Sequence, residues 1–458
     1  MSLAALILTE FTAELALFAA AGFLLFAIDD LAVDLIYFVR SAWRTLAVYS
    51  RFPRMSAAAL PAPMRPGWMA VLIPAWDEAS VIAPMLRSTL ARFIHNEYWL
   101  FVGHYRNDPA TRAAIESVRD ARIVPVEIDA DGPTTKAGCL NRLYAALVAY
   151  EGVVGRNAKA IVLHDAEDLV HPLELKLFDR LVESAALVQL PVVPLIDPES
   201  RWVAGHYADE FAEAHMKELV VRGAVGAAIP LAGVGCAIER VAMSRLAARQ
   251  DGRPFAGTSM TEDYEMGLRL GAIGLNTMFA RIPVEQGSRT VVASRGHFPS
   301  TVSAAVRQKA RWIGGIAFAG WDRLGWRGGF GERWMRMRDR RGPLAAFFLV
   351  AGYGAAILWA EVGLAAALGA PVAVPISLPL AKLMWINAWL LAWRMLMRAS
   401  FTTSAYGWRE GLRSIPRMVV ANIVAVLAAW RALQMHSAGG AKQWDKTQHI
   451  FPVEILRP

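Results

Sequence analysis

Cysteine is almost missing from this chain: there are two in 458 residues, Cys139 and Cys236, with no C-x-x-C and no Cys/His spacing that could hold zinc. A disulfide framework is excluded, and a reducing cytosolic compartment is the expectation for the water-facing part. Charge is scarce as well. It occupies 19% of positions against 55% hydrophobic ones, where an average soluble domain carries roughly 25% charged residues. A disordered chain is therefore excluded, and part of the length is expected to be membrane rather than water-soluble core. No run of Lys and Arg interleaved with aromatics occurs, and no helix-turn-helix or RNA-binding signature, so nucleic acid is not an expected partner in spite of a formal net charge of +8. No G-x-x-x-x-G-K loop is present, which argues against an ATPase. In so hydrophobic a chain the positive excess marks cytoplasmic loops beside membrane helices, and it suits anionic membrane lipid or a phosphate-bearing substrate.

What is there begins with a long apolar run, Leu3 to Ile28, enough to span a bilayer at about 20 residues per crossing. Its charge order is the reverse of a secretory signal: Glu10 and Glu14 lie early and Arg40, Arg44, Arg51 and Arg54 follow, which puts the N-terminus outside and the next residues in the cytoplasm. Asp29, Asp30 and Asp34 follow directly and belong at the cytoplasmic interface, because carboxylates in mid-bilayer are costly. After the basic stretch Arg333 to Arg341, the runs Pro343 to Ala365 and Pro375 to Met395 predict a hairpin with both ends in the cytoplasm. Met418 to Leu433 is only 16 residues long and contains Asn422, Trp430 and Arg431; it is expected to lie along the headgroup boundary. The alternative is a further span that carries Trp444 and Lys446 out of the cell. The expected layout is a membrane helix over 1–40, a basic Pro-rich linker over 41–66, a cytoplasmic domain over 67–330, the hairpin over 331–398, and an interfacial helix with a cytoplasmic tail over 399–458.

The block between linker and hairpin alternates short β-rich runs with helical patterns, which is α/β arithmetic. Met69 to Pro74 reads as a buried strand, followed by Val81, Ile82, Met85, Leu86 and Leu90 on one helix face. Strands are expected at Trp99 to Gly103, Ile123 to Ile128 and Ala160 to His164, with a helix over Lys136 to Tyr150. Ligands of open α/β sheets bind at the carboxyl ends of strands. Three strand ends here deliver polar groups: Asp77 and Glu78, Asn107 and Asp108, and Asp165 to Asp168. Carboxylates so close repel unless a cation or protons balance them, and hard oxygen donors of this kind suit Mg²⁺ or Mn²⁺ holding a diphosphate. The plainer reading is a solvated acidic turn at a helix start. Farther on, Thr261-Glu262-Asp263 opens a helical stretch to Leu270, and Gln308, Arg311 and Trp312 sit in a basic amphipathic helix over Val302 to Ile316.

Order and spacing together resemble the family 2 glycosyltransferases, membrane-integrated cellulose-synthase-like enzymes with a GT-A, Rossmann-like nucleotide-sugar domain set between transmembrane helices and amphipathic interface helices. Pro74-Ala75-Trp76-Asp77-Glu78 looks like the family's P-x-x-N-E turn, and Lys136-Ala137-Gly138 with Asn141 like its K-A-x-x-L-N helix. Asp165-Ala166-Glu167 looks like D-x-D, Thr261 to Asp263 like T-E-D, and Gln308 to Trp312 like Q-x-x-R-W. Two departures stand out: the second D-x-D carboxylate is Glu167, which leaves open whether Glu167 or Asp168 binds the metal, and the nucleobase-side Asp pair is Asn107-Asp108. The tail shows neither R-x-x-x-R nor D-x-S-x-x-G, so control by cyclic-di-GMP within this polypeptide is not expected.

The resemblance implies an inverting, metal-dependent transfer from a UDP-sugar, with N-acetylmannosamine the sugar it suggests, to a growing surface polysaccharide or a lipid-linked acceptor. It implies Asp263 as catalytic base; Glu262, Gln308, Arg311 and Trp312 on the acceptor side; Asp77, Glu78, Asp108, Lys136 and Asp165 on the donor nucleotide; and Asp165 with Glu167 on Mg²⁺ or Mn²⁺. The bacterial inner membrane is the implied location, with the catalytic domain cytoplasmic. Three spans are few for a self-sufficient channel, so an export or outer-membrane partner protein or a polyprenyl-linked acceptor is expected. The competing readings are a monoglycosyltransferase that charges polyprenyl phosphate once, and a non-enzymatic scaffold or phage receptor with a silent transferase fold. His104, His164 and His297 are expected to be structural.

Overall fold

The run MAVLIP becomes a fully buried interior strand of a seven-stranded sheet. The computed structural model describes residues 3–439 and 449–452; Trp444 and Lys446 lie outside the described residues. Among the described residues nine strands occur: β1 (Met69–Pro74), β2 (Tyr98–Tyr105), β3 (Ile123–Ile128), β4 (Ala160–Leu163), β5 (Leu187–Gln189), β6 (Val192–Leu195), β7 (Cys236–Glu239), β8 (Thr277–Phe279) and β9 (Ser294–His297). The main sheet has the order β3-β2-β1-β4-β7-β5-β8, and β6 pairs with β9 separately. β1 runs parallel to β2 and β4, whereas β7 is antiparallel to β4 and β5.

Strands covered on both faces read as unbroken apolar runs, and β1 shows why. Met69, Val71 and Ile73 enter one core and Ala70 and Leu72 the other, as a two-residue period requires. The helix Ile82–Arg92 packs Ile82, Met85 and Leu86 on the first face. The helix Lys136–Val154 packs Leu140, Leu143 and Leu147 on the second. The first four strands fall where the sequence predicts them, within two residues at each end. The antiparallel β7 and the short β5, β6, β8 and β9 complete the sheets.

Among the described residues three helices are long and apolar enough to cross a membrane: Leu3–Val48, Gly342–Ala367 and Trp408–Ser437. The first two contain the predicted runs. The helix Leu378–Tyr406, which holds the predicted second limb of the hairpin, carries Lys382, Arg394 and Arg398 and is not in that group. The run Met418 to Leu433 is the middle of a 30-residue helix. Its Val424, Ala428 and Ala432 pack on Ala305, Ala310 and Tyr207 of the soluble block, small residues that let the backbones approach closely.

Ion pairs and hydrogen bonds join these helices to one another and to the α/β block. Asp29 and Asp30 accept from Arg341 at 2.5 and 2.6 Å, and Trp334 Nε1 donates to Asp29 at 2.6 Å. Asp34 pairs with Lys217 and accepts from Trp393 Nε1 at 2.8 Å. Arg417, fully buried, lies between Asp209 at 3.0 Å and Glu410. Carboxylates that follow an apolar run are thus held by cations from elsewhere in the chain, which offsets their desolvation.

Candidate active site

The loops after β1, β2 and β4 lie side by side because those strands are neighbours. Asp77 takes φ +54°, uncommon for a residue with a Cβ. Its N–H donates to Asp108 Oδ2 at 2.6 Å, while Asp108 Oδ1 accepts from Thr111 N–H at 3.2 Å and caps the helix Pro109–Glu116. Glu78 N–H donates to Thr111 Oγ1 at 2.9 Å. Asp108 is 8% exposed, so its carboxylate fixes the Asp77-Glu78 turn. Asn107 pairs with both backbone groups of Gly132, at 2.9 and 2.8 Å. The predicted nucleobase-side pair therefore shapes the loops that frame the site.

Lys136 begins its helix behind Thr135, whose hydroxyl caps Gly138 N–H at 3.0 Å. Its ammonium lies 2.5 Å from Asp165 Oδ1. Asp263 stands on the other side: a Cβ added to Gly233 would sit 2.5 Å from Asp263 Oδ2 and 3.5 Å from Lys136 Nζ. One ammonium thus faces Asp165, Glu262 and Asp263. Burial alone would lower the Lys136 pKa, but those three carboxylates outweigh it and the net shift is upward. Glu262 is pushed up to about 7 by burial and then by Asp263, against the pull of Lys136 and Arg311. Asp263 is also raised, by burial first and then by Asp165, with Lys136 and Arg311 opposing. A carboxylate so placed holds a proton more tightly than a solvated one.

Gln308, Arg311 and Trp312 sit on the helix Val302–Ile313, which turns into a π-helical segment at Gly314–Ala319. The charge of Arg311 reaches Glu262 and Asp263. Gln308 Oε1 is buried with no hydrogen-bond partner among the described residues. Trp312 is half-buried, packed near Tyr207 and Phe211 at 6.2 and 6.4 Å between ring centroids. The glycine pair after it has a use that sequence reasoning missed. A Cβ on Gly315 would lie 2.5 Å from Thr261 Oγ1, and one on Gly314 would lie 3.2 Å from Met260, so two glycines let the Q-x-x-R-W helix seat against the start of the Thr-Glu-Asp helix (Glu262–Ala272).

The acidic cluster after β4 splits in two. Asp168 turns inward, accepting from Asp165 N–H at 3.0 Å and lying 2.8 Å from His164 Nδ1. His164 Nε2 is 2.5 Å from Glu174. Burial would lower the His164 pKa, but Glu174 and Asp168 push it up to about 10. Glu167 turns instead toward Glu78 and His449: one ligand atom from each, all within 4.8 Å of one another. His449 Nδ1 is 2.8 Å from Glu78 Oε1 and 3.3 Å from Glu167 Oε2. Glu167 is pushed up to about 8, by burial first and by Asp165, Asp168 and Glu78, while His449 opposes. His449 was not among the predicted site residues; Phe451 two places on, 5% exposed, enters the core beneath β1 and β4 and holds this part of the chain there. Crowded carboxylates with one imidazole form a donor set that fits a hard divalent cation.

A parallel β2-β1-β4 core with acidic loops at its carboxyl edge, and an acidic helix start facing them, defines a GT-A glycosyltransferase domain. The family described as "Glycosyl transferase family group 2" matches residues 160–430, more than half of the chain, and the chain belongs to it. It is 35% identical over 456 residues to Bacteriophage adsorption protein B of Escherichia coli (strain K12), covering 93% of this chain and 60% of that protein. The same figures hold for Bacteriophage N4 adsorption protein B of Escherichia coli O157:H7, so the chain spans about 60% of the length of these curated relatives. Among solved structures, "Mannosyltransferase PcManGT from Pyrobaculum calidifontis in complex with GDP-Man and Mn2+" is similar with a TM-score of 0.53, covering 94% of this chain and 100% of that one at 18% identity. That likeness shows the fold.

Proposed function

We propose that this glycosyltransferase transfers a sugar, with inversion, from a UDP-sugar to a growing surface polysaccharide or a lipid-linked acceptor, at the cytoplasmic face of a bacterial inner membrane. The observation that carries the reading is Asp263: a half-buried carboxylate of raised pKa beside Lys136 and Asp165, at the start of a helix seated against the helix that carries Gln308, Arg311 and Trp312. In the transfer the bond from the anomeric carbon to the diphosphate breaks, the acceptor oxygen forms the new bond on the opposite face, and the hydroxyl proton passes to Asp263. A positioned base of this kind contributes about 10²–10⁴ in rate.

Lys136 and Arg311 supply fixed positive charge where the leaving diphosphate gathers negative charge. Glu262, Gln308 and the free face of Trp312 bind and orient the acceptor. Asp77 binds on the nucleoside side, in a turn that Asp108 holds. Glu167, with Glu78, His449 and Asp165 beside it, would hold Mg²⁺ or Mn²⁺, which neutralises the diphosphate when bound. A position of the helix Trp408–Ser437 along the membrane boundary is part of this reading, and the packing of its small-residue face on the soluble block supports it. An export partner would then carry a polymer onward.

The test is UDP release by the purified full chain across a panel of UDP-sugars, UDP-N-acetylmannosamine included, with Asp263→Asn beside the wild type. Release from one donor, lost in the variant while donor binding persists, is the expected result. Equal loss of donor binding would remove Asp263 from the role of base. A product ladder supports polymer growth; a single-sugar lipid supports one transfer to polyprenyl phosphate.

A further inference from the structure

Away from the transfer site, a cavity of about 490 Å³ opens where three segments meet. They are the linker at Arg54, the loop from Arg281 to Val291, and the last turns of the helix Leu378–Tyr406. Arg54, Arg281 and Arg289 line it, with the hydroxyls of Ser288, Ser400 and Thr403. The walls are fixed by backbone pairing: Ala57 and Ala58 N–H donate to Pro283 and Val284 carbonyls at 2.8 and 3.0 Å, and the loop closes through Val284 N–H to Thr290 O at 2.9 Å.

Cations are paired almost everywhere else in this region, with Arg338, Arg341, Arg394, Arg398 and Arg417 all on carboxylates. Among the described residues, none of Arg54, Arg281 and Arg289 has a carboxylate within ion-pair reach. Arg281 is half-buried, and its pKa is lowered by burial and then by the charge of Arg54. Like charges gathered without a counter-charge are unfavourable, and a bound anion relieves them. Guanidinium forks with hydroxyls between them match the oxygens of a phosphate.

The surroundings indicate where that phosphate comes from. Phe52 and Met55 flank Arg54 and are 66% and 48% exposed. Trp43 and Leu46, at the end of the first apolar helix, and Trp408, just past the helix that lines the pocket, are exposed as well. Aromatic and aliphatic side chains around a cationic pocket are the composition of a membrane interface. The strand β8 that leads into the loop stands three intervals from β4, about 14 Å at sheet spacing, so the pocket is separate from the acidic cluster.

We propose that this pocket binds a phosphate group, presented by an anionic lipid of the cytoplasmic leaflet. The lipid source rests on the membrane placement proposed above; the phosphate chemistry rests on the pocket alone. The test is native mass spectrometry of the full chain in detergent, titrated with phosphatidylglycerol or with phosphatidylcholine of the same acyl chains, and separately calorimetry with inorganic phosphate. The wild type should retain phosphatidylglycerol in preference, and Arg281→Gln/Arg289→Gln should need about tenfold more lipid. Arg54→Gln, at an exposed position that leaves folding intact, should weaken retention in the same direction. Arg409→Gln, outside the pocket, should match the wild type, and UDP release should be unchanged in all three.

Lipid retention that is the same in wild type and both pocket variants overturns the proposal. Saturable inorganic phosphate binding that the variants lose, without lipid preference, overturns the lipid source and upholds the phosphate site. Loss of UDP release in wild type with intact lipid preference would fail the transferase reading and leave this one standing.

Discussion

Gly233→Ala perturbs the base without replacing a charged residue. Gly233 has φ +81°, where an L-residue costs about 1–2 kcal/mol. The added methyl would also sit 2.5 Å from Asp263 Oδ2, about 1 Å inside ordinary contact, and a misplacement of about 1 Å costs about 10²-fold in rate. The expected result is a kcat about 100-fold lower with donor KM nearly unchanged, because the nucleoside-side loops follow β1 and β2. Gly226→Ala is the control: φ is +73° there and an added Cβ meets nothing within 4 Å. It should show the same loss of thermal stability in detergent and keep its activity. UDP release and thermal unfolding, measured on both variants, separate the two effects. If Gly233→Ala stays within about threefold of wild type, or Gly226→Ala loses as much, the placement of Asp263 as the reacting base is refuted.

Removing Lys136 as Lys136→Met leaves Asp165, Glu262 and Asp263 facing one another. Lys136 lowers the pKa of Asp263 and Glu262, so its loss raises both; the base must be deprotonated to act, and the acid limb of the pH–rate profile should move to higher pH. A limb that stays in place would show that Lys136 does not neighbour the base in the working enzyme. His449→Ala should raise the Mn²⁺ concentration for half-maximal UDP release roughly tenfold or more after chelation, with less change at saturating metal; an unaltered metal titration would remove the tail histidine from the site. Arg417→Met removes the cation buried between Asp209 and Glu410, leaving the buried Asp209 with Arg398 at 3.3 Å, and should cost up to about 3–5 kcal/mol of stability. Arg413→Met, whose partner Glu410 keeps Arg417, should cost about 0–1 kcal/mol; similar melting shifts for the two would contradict the buried pairing.

The strands β1 to β4 and the three acidic loops were legible because apolar runs of four to eight residues ended on clustered polar groups. β7 was not: CAIE is four residues long, and periodicity cannot separate so short an apolar run from a helix segment. Asp108 illustrates a carboxylate with two meanings. Followed by Pro109 and Thr111, it has the pattern of a helix cap, and the structure gives its oxygens to Asp77 and Thr111 backbone. The last long helix extends well before the apolar run at Met418, because Arg417 is buried against Asp209 and the helix runs through it. His449 was invisible as a site residue because proximity in space to Glu78 leaves no trace in spacing, and its neighbour Phe451 reads as one more apolar residue.

That pairing also sets an order in time. Glu78 and His449 are 371 positions apart, so the loop after the first strand leaves the ribosome long before its partner exists. Among the described residues, every helix except the first long one, Leu3–Val48, is synthesised in the interval. An incomplete nascent chain can fold the sheet and display Asp165 and Glu167, yet it lacks the imidazole that completes the cluster, so the donor end of the site is finished only after the last long helix has been made.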